Sequence, residues 1–206
     1  VVLFVHNTSR VEGEPYPELL KEKGFRGFPS LAFMDAEGEV IHTQGDRSVD
    51  GFNRSFAALD VLAKIDEATD DPAAATKLFL AKLALDKFEF EAAVAARAKL
   101  TVVTDEQTLE IEEMLTNLEV QQVIKETGRD RAAAGKKFAA MYADGKIPSG
   151  FAARSFFSAI MAHAEQEADA DLFEQAMDAM KEALDNDPRY KRFYDQWAKT
   201  LEKLRG

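Results

Sequence analysis

The chain has 206 residues, 46% of them apolar, no cysteine, and a net charge of −11 from 26 basic and 37 acidic side chains. That length fits one large domain or two small ones. Without cysteine, disulfides, iron–sulfur clusters, zinc–thiolate sites and thiol nucleophiles are excluded within these residues, and an acidic balance repels phosphate backbones, so nucleic acid is not an expected partner. Short basic clusters such as Arg129, Arg131, Lys136 and Lys137 sit among acidic neighbours. No apolar run reaches the ~18–20 residues of a membrane helix.

Val1–Val5 is a continuous, β-branched apolar run, as expected for a buried strand. The chain opens directly into that run with no signal-peptide pattern, which suggests a fragment with its upstream part missing. A polar loop leads to a short helix over Pro17–Lys23 that Gly24 closes. Ser30–Met34 and Glu39–Thr43 read as strands. The tight turn Asp35-Ala36-Glu37-Gly38 between them predicts an antiparallel hairpin. Phe52, Phe56, Leu59, Leu62 and Ala63 then have helical spacing, with Asp50 as the expected N-cap.

Residues 1–66 hold six of the 11 glycines and three of the six prolines, whereas the remaining chain reads as about seven helices. The expected helices are Ala73–Lys87, Phe90–Leu100, Asp105–Thr127, Asp130–Ala143, Ser149–Gln166, Ala170–Asn186 and Arg189–Leu204. In Asp105–Thr127, Thr104 or Asp105 is the expected cap, Gly128 the stop, and Leu109, Ile111, Leu115, Leu118 and Val123 the buried side. The expected fold class is helix-dominated α+β, divided into 1–66 and a helical 67–206.

The string Gly24-Phe25-Arg26-Gly27-Phe28-Pro29-Ser30, followed by Leu31-Ala32-Phe33 and the hairpin turn, is similar to the C-terminal half of the thioredoxin fold. The resemblance covers about residues 1–65. It implies a cis peptide before Pro29 and a loop, Phe28-Pro29-Ser30, that presents backbone groups to an extended peptide. Pro29 shaping the fold alone is the equal alternative. The family's C-x-x-C motif is absent, and its segment would lie upstream of Val1. The family's strand order then leaves a central strand to be supplied by upstream residues, another polypeptide or a swapped copy.

Phe157–Pro188 resembles one tetratricopeptide unit, with Ala164, Ala176, Ala183 and Pro188 at the small-residue and terminal positions. Ala81–Leu100 is a weaker echo, out of step with a 34-residue period, so the resemblance implies an irregular solenoid or bundle. Arg189–Leu204, with Tyr190, Phe193, Tyr194 and Trp197, would cap it.

Candidate chemistry is sparse. His6, His42 and His163 stand at no metal-ligand spacing; His42 is expected to face solvent and His163 to pack against a neighbouring helix. Ser9, Ser30 and Ser48 lie in no nucleophile motif. No catalytic residue, metal or cofactor is expected. Phe28, Pro29 and Ser30 are the candidate binding residues. The expected function is a protein-interaction module with a protein or peptide client, and a homo-oligomer or swapped dimer is compatible with it. The alternative is a fragment of a thiol-disulfide oxidoreductase whose C-x-x-C lies upstream of Val1.

Overall fold

A computed structural model describes residues 5, 6, 13 and 15–206. The expected strand Val1–Val5 lies almost wholly outside the described residues. Within them the chain is a helix-dominated α+β structure with nine α-helices and one two-stranded antiparallel sheet.

The short helix α1 (Leu19–Glu22) ends where the Gly24 N–H bonds the Lys21 carbonyl and the Phe25 N–H reaches the Leu20 carbonyl at 2.8 Å. Gly24 has φ +77°, the left-handed conformation this termination needs. Strands β1 (Ala32–Met34) and β2 (Val40–Thr43) form the predicted hairpin. Ala32 pairs with Thr43, Phe33 with His42 and Met34 with Val40, so the register slips at Ile41. Helix α2 (Val49–Lys64) follows, capped by Ser48, whose hydroxyl accepts the Gly51 N–H at 3.0 Å. The cap is Ser48 rather than the expected Asp50, because Ser48 is the last extended residue (φ −72°, ψ 159°) and Asp50 already lies in the first turn.

The remaining helices are α3 (Pro72–Ala84), α4 (Phe90–Arg97), α5 (Asp105–Thr127), α6 (Arg131–Ala143), α7 (Gly150–Gln166), α8 (Ala170–Ala183) and α9 (Lys191–Arg205), with a 3-10 turn at Pro188–Tyr190 before α9. Helix α8 stops three residues short of the expected Asn186, and both Asp185 and Asn186 turn to positive φ. A capping box starts α5: the Thr104 hydroxyl accepts the Gln107 N–H, and the Gln107 side chain accepts the Thr104 N–H at 3.0 Å.

Three apolar clusters run along the chain. Ala58 of α2 packs with Ala81 of α3 and with Leu85. Phe79, Leu83, Ala93 and Ile111 join α3, α4 and α5. The largest cluster is built by α5 to α9 around Phe138, Phe156 and Ile160, all fully buried. Burying each such side chain contributes about 1.5–3 kcal/mol.

Helix α5 sits between two clusters, with Ile111, Leu115 and Leu118 on one side and Val120 and Val123 on the other. Leu109 is 68% exposed, contrary to the expected pattern. It lies two residues, or 200°, from Ile111 and cannot share its face.

Small residues set the helix spacing. Ala164 of α7 and Ala176 of α8 are fully buried in this cluster, whereas Ala183 is exposed. Gly135 of α6 is buried against α7, where a Cβ would lie 1.9 Å from the Ala159 carbonyl oxygen. In the last helix Tyr194, Trp197 and Leu204, together with the preceding Tyr190, pack onto the core, and Phe193 stays outside.

The hairpin rests against the end of α3. His42 is 7% exposed, not solvent-facing: its ring stacks on Phe33, and its Nδ1 lies 3.3 Å from the Leu85 carbonyl oxygen and 4.0 Å from Asp86. Lys87 Nζ donates to the Ile41 carbonyl beside it. Residues of the expected 1–66 unit thus contact the end of α3 in the expected 67–206 unit.

Candidate functional site

The candidate loop is suspended between α1 and β1. At its start the Gly24 termination turns the chain outward, and Lys23 joins Glu39 at 3.2 Å, tying the end of α1 to the start of β2. The Phe28–Pro29 peptide bond is cis. The Ser30 hydroxyl donates to the Gly27 carbonyl at 2.6 Å, and Arg47 Nη2 donates to the Pro29 carbonyl at 2.8 Å. Phe28 and Pro29 are exposed, Phe28 at 70%, and Ser30 is half-buried. The three predicted residues thus form one short loop whose backbone is held by two hydrogen bonds while its aromatic ring faces water.

Arg47 was not singled out in the sequence, and its position depends on a polar knot before α2. Gln44, 4% exposed, donates its backbone N–H to Leu31 at 2.8 Å and its amide to the Asp46 carbonyl. Its amide oxygen accepts the buried Ser55 hydroxyl at 2.6 Å. The Asp46 carboxylate accepts the Ser48 N–H at 2.9 Å and an Arg54 N–H at 2.5 Å. The backbone and hydroxyl bonds from Ser48 hold the Asp46 carboxyl below its ordinary range, and Arg54 adds to the effect.

Gly51 closes the knot, since a Cβ there would lie 2.4 Å from Asp46 Cγ. An aspartate two residues before a serine cap is a local turn signal that could have pointed to this knot, although Asp50 was the expected cap. The partner across the fold, Pro29, could not be read from it.

Ser30 spends its hydroxyl on Gly27, and His42 is engaged with Leu85 and Phe33. Among the described residues no group of histidine or acidic side chains has metal-binding geometry, and no helix is long and apolar enough to cross a membrane. A separate cleft of about 210 Å³ between the α3–α4 turn and α5 is lined by Phe88, Phe90 and Leu118 and edged by the Glu89–Lys125 ion pair at 3.0 Å.

The two-stranded sheet of the described residues does not by itself show a thioredoxin fold. No protein-family model matches the chain, and neither a curated protein nor a solved structure matches it.

Proposed function

We propose that the chain is a protein-interaction module that docks an extended client segment at Phe28-Pro29-Ser30, on a thioredoxin-like unit without a thiol, with the tetratricopeptide-like helices as a second protein-binding surface. The observation that carries this reading is the exposure of Phe28, at 70%, on a loop whose backbone is anchored by Ser30 and Arg47. A large aromatic ring on an anchored backbone leaves less chain to order when a partner covers it, which is the character of a binding hot spot. The buried Ala164 and Ala176 support the close helix pairing that a tetratricopeptide unit requires, and the exposed Ala183 departs from it.

A random 12-residue peptide library selected on the immobilised chain supplies probes, and one selected peptide is measured by fluorescence anisotropy. Phe28→Ala should weaken it about tenfold or more, as loss of a central aromatic anchor does. The melting curve should not move, because the ring is exposed. Selected peptides that bind Phe28→Ala as tightly as wild type would sink the reading.

A further inference from the structure

Two arginines belong to the Phe28 loop, Arg26 through the chain and Arg47 through its bond to the Pro29 carbonyl. Arg26 is exposed two residues before Phe28, and Arg47 is exposed and touches the Pro29 carbonyl. Two carboxylates of the flanking segments are already engaged: Glu39 by Lys23 at 3.2 Å, and Asp46 by Ser48 and Arg54. Among the described residues no carboxylate lies within the 4.0 Å ion-pair limit of Arg26 or Arg47, and the exposed Asp50 and Glu37 stand outside it. Arg47 uses Nη2 on the Pro29 carbonyl and keeps other guanidinium N–H donors for a ligand. Val49, 77% exposed at the start of α2, adds apolar surface two residues from Arg47.

We infer that the Phe28 loop selects acidic client segments: an extended stretch with an apolar side chain on Phe28 and Val49, flanked by aspartate or glutamate that meets Arg26 and Arg47. This rests on the reading of the loop as a client site and assigns its specificity. Guanidinium is permanently charged and pairs carboxylate in a fork, so both arginines present the same demand. The inference opposes the global charge. A chain at −11 repels an acidic peptide in general, so a preference for one reports the local field of the loop.

The test uses the full chain and three synthetic ten-residue peptides with one common apolar centre and flanks of aspartate and glutamate, of glutamine, or of lysine. Anisotropy at low salt should place the acidic peptide about tenfold tighter than the glutamine peptide. That advantage should shrink as salt shortens the screening length to ~10 Å near 0.1 M. Arg26→Gln should remove part of the advantage and Arg26→Gln/Arg47→Gln all of it, while Phe28→Ala weakens every peptide. Arg47→Lys, which keeps the charge, checks that loss at Arg47 is electrostatic and not a displaced loop. Equal affinity for acidic and glutamine peptides, with Phe28→Ala still weakening both, would overturn the acidic specificity and leave the docking loop standing. Binding that ignores Phe28, or no binding by any of the three peptides, would overturn both.

Discussion

Replacing Gly135 with alanine should destabilise the chain, against the ordinary trend in helices. Alanine is about 1 kcal/mol better than glycine inside a helix, so propensity alone predicts a gain. In α6, however, the new methyl would lie 1.9 Å from the Ala159 carbonyl oxygen and 2.7 Å from the His163 Cβ, both on α7. Those are backbone and near-backbone atoms, so no rotamer change relieves the overlap and the two helices must separate. Overpacking of this kind typically costs about 1–3 kcal/mol. Moving α6 also loosens Phe138 against Phe156, whose ring centroids are 5.0 Å apart, and dispersion falls steeply with such gaps. An overlap as close as 1.9 Å belongs at the upper end of that range, so after the propensity gain the expected net loss is about 1–2 kcal/mol, or roughly 2–8 °C in Tm for a domain of this size. Urea denaturation of wild type and Gly135→Ala reads it directly. Ala133→Gly, at an exposed site of the same helix, is the control and should cost only about 1 kcal/mol. A Gly135→Ala variant as stable as wild type would refute the close packing of α6 on α7.

Three further outcomes are expected. Thr104→Ala removes one half of the α5 capping box and should cost about 0.5–2 kcal/mol in urea denaturation, with no change in helix content at low temperature. His42→Ala removes the Phe33 stack and the contact with Leu85, and should cost about 1–3 kcal/mol while speeding hydrogen exchange at the hairpin and the end of α3. Asp46→Asn should be destabilising near neutral pH and converge on wild type in acid. The Asp46 carboxyl is lowered in the folded chain, so its stabilisation is present above its unfolded value near 3.8 and is lost as pH falls through the lower folded value. A gap between the two proteins that persists unchanged at pH 2–3 would contradict that assignment.

The long-range features were the ones the sequence concealed. Helix α5 was legible to its ends, because a cap at Thr104 or Asp105 and a stop at Gly128 are local signals that act within one turn, and the structure places the cap at Thr104. The hairpin was legible for the same reason, its turn residues lying between two short apolar runs. His42 was misread because strict alternation along β2 puts it opposite Ile41, whereas the register slip at Ile41 pairs it with Phe33 and its ring is then covered by the end of α3. Leu109 was misread because one helix serving two clusters carries two apolar faces, and a single-stripe reading merges them. Gly135 stands in an alanine run with no local sign of its role, and only the packing shows it as the contact with α7. At the candidate site, Phe28, Pro29 and Ser30 were visible as a motif, but Arg47 comes from 18 residues away and only the fold brings it to the Pro29 carbonyl.

The most direct test of the docking loop is hydrogen–deuterium exchange on the full chain with and without a saturating selected peptide. The loop reading predicts slowed exchange at the backbone of 25–31 and at 45–49, where the knot before α2 positions Arg47, with little change in α6 to α9. Protection confined to the helical tail, with the Phe28 loop exchanging as it does in the free chain, would contradict it.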